Sequence, residues 1–200
     1  NDIELLRKAD LVISTAHTSF EAEIKRLEDE GHIRAVLIEL PRIPGLRILV
    51  NPITGQPNYH MPIYDPGNYR AFLAYVAEAM AKLRPEGAEH YRLKAEEALE
   101  RLNELVKKAP KLNLTAAADL PVVQYAISWL GVELYFLMIK EHGAPATPGD
   151  LMKLEEAFSG RLVRLAVVCE PVVASASRRL EEMAEEHGIP ILHVPSPTAQ

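Results

Sequence analysis

The sequence contains a single cysteine, Cys169, which excludes an internal disulfide and a zinc site built from several thiolates. This residue ends the apolar run Val167-Val168-Cys169, so we expect a buried and chemically inert thiol. No apolar segment approaches the ~20 residues that a membrane-spanning helix needs. No signal segment is expected in this chain either, because Asn1 opens directly onto a polar helix start.

Basic residues are outnumbered, because 22 lysines and arginines stand against 28 aspartates and glutamates and give a formal net charge of -6. No run of lysine and arginine is long enough to form a basic stripe, so we expect no nucleic-acid partner. The chain lacks a glycine-rich phosphate loop, a Gly-x-Ser-x-Gly elbow and a His-Glu-x-x-His motif. No nucleophile with a plausible base and orienting group can be identified, and we therefore predict that the protein is not an enzyme.

The centre of the chain is dominated by two helical patterns. Apolar residues recur at steps of three and four from Asn68 to Leu83, and Pro85 ends this first pattern. A second apolar stripe runs from Ala88 to Ala109 and ends at Pro110. At ~1.5 Å per residue, the second helix would span roughly 35 Å, which is long enough to join two lobes rigidly.

Strands and helices alternate on both sides of these helices, and 48% of the residues are hydrophobic, which is enough for real cores. Alternation of this kind favours parallel sheets covered by helices. We therefore predict an α/β fold with two parallel-sheet lobes joined by one long rigid helix. The predicted boundaries are an N-terminal lobe over residues 1–85, a connecting helix over 86–110 and a C-terminal lobe over 111–200.

Residues 41–66 contain six of the fifteen prolines and are predicted to form one long loop. Loops of this length without secondary structure are uncommon in compact domains and usually have a function. His60 lies in this segment.

Several polar side chains follow predicted strands, where ligands bind in open α/β sheets. Two imidazoles with one or two carboxylates suit zinc or manganese, because both metals accept mixed nitrogen and oxygen ligands. The predicted metal ligands are His17, His60, Asp119 and Glu170. Other polar residues predicted at strand ends are Glu39 and, near the end of the chain, His193 or Ser196.

Each predicted ligand also has a purely structural interpretation. His17 could only start its turn and cap the following helix, and His60 could be a surface loop residue. Asp119 directly precedes a helix predicted to begin near Leu120, and Glu170 precedes one predicted near Ser175, so either carboxylate could be an N-cap.

The order of several short segments resembles a known family, the metal-binding substrate-binding proteins of zinc and manganese ABC transporters. The resemblance covers nearly all of the chain and implies an extracytoplasmic receptor, periplasmic or lipid-anchored, that works as a monomer. It further implies that zinc or manganese is captured in the cleft between two lobes and delivered to an ABC permease. The segments that carry it are Ala9–Ile13, Tyr64–Asn68, Pro121–Tyr125, Leu130–Val132, Pro148–Leu151 and Val168–Pro171.

The sequence departs from the family at the ligand positions. The first family histidine is expected from a segment before Asn1, and the second position holds Met61, with His60 one place earlier. The third position falls at Leu120, next to Asp119, and the fourth near Pro195. An alternative function therefore stays open, in which a family-like scaffold without a metal site binds a small organic ligand or a partner protein.

Overall fold

The computed structural model describes residues 2–140, 143–172 and 174–196. These residues fall into two compact units. The first comprises the chain up to Ile48 together with Pro62–Ala109, and the second comprises Leu49–Met61 together with the chain from Pro110 onwards. This grouping differs from the predicted boundaries, which placed residues 49–61 in the first lobe and treated the long helix as a separate connector.

The first unit contains a small parallel sheet and four helices. Strands β1 (Leu11–Ser14) and β2 (Val36–Glu39) run parallel, with Ile13 opposite Ile38. Each face of this sheet carries its own core, because successive side chains of a strand point to opposite faces. The bounds are α1 Asp2–Lys8, β1 Leu11–Ser14, α2 Ser19–Asp29, β2 Val36–Glu39, α3 Pro66–Leu83 and α4 Ala88–Lys108.

The helix pair α3 and α4 has clear sequence causes. Helix α3 starts with Pro66 at its first position, and the Asp65 carboxylate caps it by accepting from the backbone N–H groups of Gly67 and Asn68. Helix α4 is continuous over 21 residues, which confirms the predicted long helix. Arg92 of α4 donates to Glu78 of α3 over 2.6 Å, an exposed ion pair that contributes little to stability.

The second unit is built on a four-stranded parallel sheet, whose strands are β5 (Leu114–Ala118), β6 (Val132–Leu137), β7 (Leu165–Glu170) and β8 (Ile191–Pro195). Their order in the sheet is β6-β5-β7-β8. This confirms the α/β class predicted for the second half of the chain. The unit also includes a short antiparallel hairpin, β3 and β4. The bounds are β3 Leu49–Val50, β4 Pro57–Asn58, β5 Leu114–Ala118, α5 Val123–Ser128, β6 Val132–Leu137, α6 Pro148–Ser159, β7 Leu165–Glu170, α7 Ser175–Glu186 and β8 Ile191–Pro195.

The prediction of a single loop over residues 41–66 was wrong. The segment contains the β3–β4 hairpin and two short 3-10 turns, at Leu40–Arg42 and Pro62–Tyr64. Its prolines fix individual turns, because proline presets the backbone angle that turns require.

The core of the second unit lies between its sheet and helices α6 and α7. The last three residues of β5 and the first five of β7 are buried, as expected for central parallel strands covered on both faces. Helix α6 begins with a capping box, in which the side chains of Thr147 and Asp150 each accept a hydrogen bond from the other's backbone N–H. None of the helices in the described ranges is long and apolar enough to cross a membrane. The core side chains include Leu154, Phe158, Val163, Val168, Leu180 and Met183.

Candidate functional site

The turn after β1 is held together by Glu21, a residue that is not among the predicted ligands. Its carboxylate accepts hydrogen bonds from the hydroxyl groups of Ser14, Thr15 and Thr18. Burial alone would raise the pKa of Glu21, but the bonds from Thr15 and Thr18 outweigh it and lower the pKa to about 2. Glu21 is therefore ionised and acts only as an acceptor. The Thr18-x-x-Glu21 spacing of a capping box was the signal that could have identified it.

This arrangement determines which nitrogen of His17 carries a proton. Thr15 Oγ1 lies 2.7 Å from His17 Nδ1 and 2.7 Å from the Glu21 carboxylate. The single hydroxyl proton of Thr15 is donated to Glu21, so His17 Nδ1 must donate its own proton to Thr15. In the neutral imidazole the lone pair is then on Nε2, which is a usual metal-binding nitrogen.

His60 has the same tautomer as His17, but in His60 the acceptor that fixes it belongs to Asn58. Its Nδ1 lies 3.0 Å from Asn58 Oδ1, which also accepts from the His60 backbone N–H. The Asn58 Nδ2 group donates to the carbonyl of Pro121 over 2.8 Å, and this fixes the orientation of the amide. Since Oδ1 can only accept, His60 Nδ1 carries the proton and Nε2 carries the lone pair.

The hairpin segment that ends at His60 is held firmly on α5. Asn58 is fully buried and also donates to Gln124 Oε1 over 2.8 Å. The Tyr125 hydroxyl donates to the Asn58 carbonyl over 2.5 Å and accepts from the Leu49 N–H over 2.9 Å. These partners are more than sixty residues apart in sequence, so no local pattern could have predicted them.

The Tyr125 hydroxyl is expected to be important for the stability of the second unit. Tyr125→Phe would leave the Asn58 carbonyl and the Leu49 N–H without their partner in a site where Tyr125 is 0% exposed. We expect a loss of about 2 kcal/mol in the free energy of unfolding. Urea unfolding followed by fluorescence would measure it. Tyr135→Phe, at a side chain that is 40% exposed, is the control and should change stability by less than about 0.5 kcal/mol.

Met61 adopts a left-handed backbone conformation with φ of 48° directly after His60. Such a conformation is unfavourable for a residue with a side chain and persists where surrounding contacts enforce it. Strain of this kind is concentrated at ligand-binding segments, which makes the His60–Met61 peptide a candidate for function.

Asp119 follows β5 and is completely buried. Its Oδ2 accepts from the Cys169 N–H over 3.0 Å and from the Ser177 hydroxyl over 2.8 Å. Within the described ranges its Oδ1 has no hydrogen-bond partner. Burial raises the pKa of Asp119 more than these bonds lower it. Asp119 thus joins the carboxyl ends of β5 and β7 to the start of α7.

Cys169 is a buried thiol, as predicted. Burial first, and then the neighbouring Asp119 carboxylate, raises the pKa of this thiol to about 12. The group therefore stays protonated at neutral pH and is neither a nucleophile nor a strong metal ligand.

Glu170 is the last residue of β7, and its side chain is exposed. Its carbonyl accepts from the Ser196 N–H over 2.8 Å at the end of the sheet. Glu170 is therefore held by the backbone, while its carboxylate faces solvent.

The capping alternatives considered for three of these residues were wrong. The N-cap residues are Thr18 for α2, Val122 for α5 and Ala174 for α7. His17, Asp119 and Glu170 therefore do not cap the helices that follow them. Helix α5 starts later than predicted, because the 120–122 segment forms a turn before it.

Within the part of the chain that the structure describes, no three His, Cys, Asp or Glu side chains form a group that could hold a metal ion. The four predicted ligands therefore remain individual candidates, with His17 in the first unit and the other three in the second.

Several solved structures share this fold. FpvC from Pseudomonas aeruginosa in complex with Mn²⁺ matches with a TM-score of 0.76 and 20% identity, covering 97% of this chain and 72% of that one. A mutant of the laminin-binding adhesin Lmb from Streptococcus agalactiae gives 0.78 and 16%, covering 100% and 77%. A Zn(II)-bound AdcAII variant from Streptococcus pneumoniae gives 0.72 and 16%, covering 100% and 78%. At these identities the likeness establishes the fold.

A search of curated proteins found no match. The family model described as zinc-uptake complex component A, periplasmic, matches residues 1–199. This match spans almost the whole chain and agrees with the resemblance inferred from the sequence. The chain therefore belongs to this zinc-uptake family, and it is an extracytoplasmic substrate-binding protein of an ABC transporter, a transport receptor and not an enzyme.

Proposed function

We propose that this protein captures zinc or manganese and delivers the ion to the permease of its ABC transporter. Membership of the zinc-uptake family supports the transport role. The Mn²⁺ complex of FpvC and the Zn(II)-bound AdcAII variant support the choice of metals.

The observation that carries this proposal is the protonation pattern of the two histidines. The contacts of Thr15 and Asn58 place the proton of each imidazole on Nδ1. A metal-ligating histidine almost always donates its other ring N–H to an oxygen acceptor, and this partner fixes the tautomer. His17 and His60 both have such an oxygen acceptor at Nδ1, the hydroxyl of Thr15 and the amide oxygen of Asn58.

The proposed ligands are therefore Nε2 of His60 and Nε2 of His17, with Asp119 and Glu170 as the carboxylate candidates. Asp119 offers Oδ1, the oxygen that accepts no hydrogen bond from the described residues. Glu170 offers an exposed carboxylate at a strand end. Imidazole nitrogen suits zinc, whereas added carboxylate oxygen favours manganese.

Calorimetric titration of metal-free protein with zinc tests the proposal. We expect the parent to bind zinc and His60→Ala to lose most of this affinity, because a ligand is removed. Asn58→Ala keeps the ligand but removes its orienting acceptor, and we expect it to weaken binding by about 10–100-fold.

His90→Ala is the matched control, because it removes an exposed imidazole on α4. It should bind zinc as the parent does. Equal zinc affinity in the parent and in His60→Ala would remove His60 from the proposed ligand set.

The alternative function, a scaffold that binds an organic ligand or a partner protein instead of metal, has one specific observation in its favour. Two of the positions at which the family resemblance places ligands hold Met61 and Leu120, neither of which is a nitrogen or carboxylate donor. Metal analysis of protein purified without chelator separates the two functions. About one zinc or manganese per chain supports metal capture, whereas metal-free protein that also fails to take up zinc supports the scaffold.

The oligomeric state and the location of the receptor follow from the same family membership as proposals. We propose that it acts as a monomer, either free in the periplasm or lipid-anchored at the cell surface. Light scattering after gel filtration would test the first point, and a mass near 22.3 kDa is the expected result.

A further inference from the structure

A cavity of about 630 Å³ lies at the amino-terminal edge of the sheet in the second unit. The starts of β5, β6 and β7 border it, together with the turn that follows α6. Asp119 lies at the opposite end of β5, four residues beyond Thr115, or ~13 Å at ~3.3 Å per residue. This cavity is therefore distinct from the candidate metal ligands. Its lining residues include Asn113, Thr115, Glu133, Arg161, Leu162 and Arg164.

The charged side chains that line this cavity do not form ion pairs with one another in the part of the chain that the structure describes. Within the described ranges neither Arg161 nor Arg164 forms an ion pair, and Glu133 forms none either. Arg164 Nη2 donates to the Asn113 carbonyl over 3.2 Å, which holds its guanidinium over the start of β5. An arginine has five N–H donors in a planar fork that matches the two oxygens of a carboxylate or phosphate.

The backbone at Arg161 gives a second, independent indication. Helices α2, α6 and α7 end in the same way, with a residue of positive φ whose N–H and following N–H bond back to the last turn. Glycine occupies this position after α2 and α7, as Gly31 with φ of 73° and Gly188 with φ of 60°. After α6 the residue is Arg161, with φ of 58°.

The chain thus has an arginine at the end of α6, at the position where the ends of α2 and α7 have glycine. A left-handed conformation is unfavourable for a residue with a side chain, and such exceptions are concentrated at binding sites. The helix end itself does not require an arginine at position 161, because glycine would allow the same two backbone hydrogen bonds with less strain.

We propose that this cavity binds a small organic oxyanion, a carboxylate or a phosphate monoester, through Arg161 and Arg164. The cavity is much larger than a bare oxyanion, so the rest of the molecule would lie against Leu162 and Leu114. Glu133, which also lines the cavity, would accept a hydrogen bond from a hydroxyl or amino group of the same molecule.

Calorimetric titrations with citrate and with glycerol phosphate, both at low ionic strength, test this proposal for the two chemistries. At least one probe is expected to bind the parent protein. Arg161→Gly and Arg164→Gln should each weaken that binding by tenfold or more, because bidentate arginine contacts supply much of the recognition. The probe that binds identifies the oxyanion class.

Two controls make the result decisive. Arg34→Gln removes one exposed positive charge in the first unit and should bind the probe as the parent does. Arg161→Gly should melt at a higher temperature than the parent, since glycine relieves the backbone strain, so lost binding cannot be ascribed to unfolding. Binding of neither probe, or undiminished binding to either cavity variant, overturns the proposal.

Discussion

Replacing Asp119 by alanine is expected to lower the free energy of unfolding by about 3 kcal/mol. The substitution would leave the Cys169 N–H and the Ser177 hydroxyl buried without their acceptor. Each buried donor that loses its partner costs about 1–3 kcal/mol. Urea unfolding followed through Trp129, the only tryptophan and a residue of the second unit, would measure the loss.

Asp119→Asn is the matched control, because its amide oxygen can still accept both hydrogen bonds. Since burial raises the pKa of Asp119, the folded protein binds this proton more tightly than the unfolded chain does. The parent should therefore lose stability as pH rises from the ordinary aspartate range, near ~3.9, through the raised folded pKa. The asparagine variant should lack this part of the pH dependence. An alanine variant as stable as the parent would contradict the role assigned to Asp119.

Several helix ends could be predicted, because proline or glycine marks them in the sequence. Pro66 and Pro148 occupy first helical positions, and Gly31 and Gly188 follow helix ends with positive φ. These residues act locally, through fixed or permissive backbone angles, so they can be recognised without the rest of the fold.

The exact ends of two strands in the second unit could not be predicted from the sequence. Strand β5 lies at Leu114–Ala118, where three alanines are completely buried. Alanine has low strand propensity, and only the close packing of a central strand makes it suitable there. Strand β7 starts at Leu165, because the apolar residues Leu162 and Val163 belong to the segment that follows the turn at Arg161.

The candidate site was predictable only at the level of residue types. Polar residues after strands pointed to His17 and Asp119, and the segment rich in proline pointed to His60. The chemistry of these groups depends on partners distant in sequence, such as Pro121 for Asn58 and Ser177 for Asp119. Tautomers and pKa shifts arise from such contacts and have no local pattern in the sequence.

Zinc is expected to stabilise the protein strongly, and in a way that depends on pH. A metal that binds only the folded state raises the free energy of unfolding by ~2.7 kcal/mol at a hundredfold excess over Kd, and by ~4.1 kcal/mol at a thousandfold excess. Thermal unfolding of metal-free protein, with and without zinc, measures this gain as a higher melting temperature.

The pH dependence follows from the proposed imidazole ligands. A bound metal requires neutral histidine, and histidine ordinarily titrates near ~6.5, so protons compete with zinc below that value. The zinc-induced rise in melting temperature should therefore be full at about pH 7.5 and should decline as pH falls through about 6.5. His60→Ala should show a much smaller rise at either pH, whereas His90→Ala should behave as the parent. A rise of equal size in the parent and in His60→Ala at both pH values would mean that zinc stabilises the fold through residues other than His60.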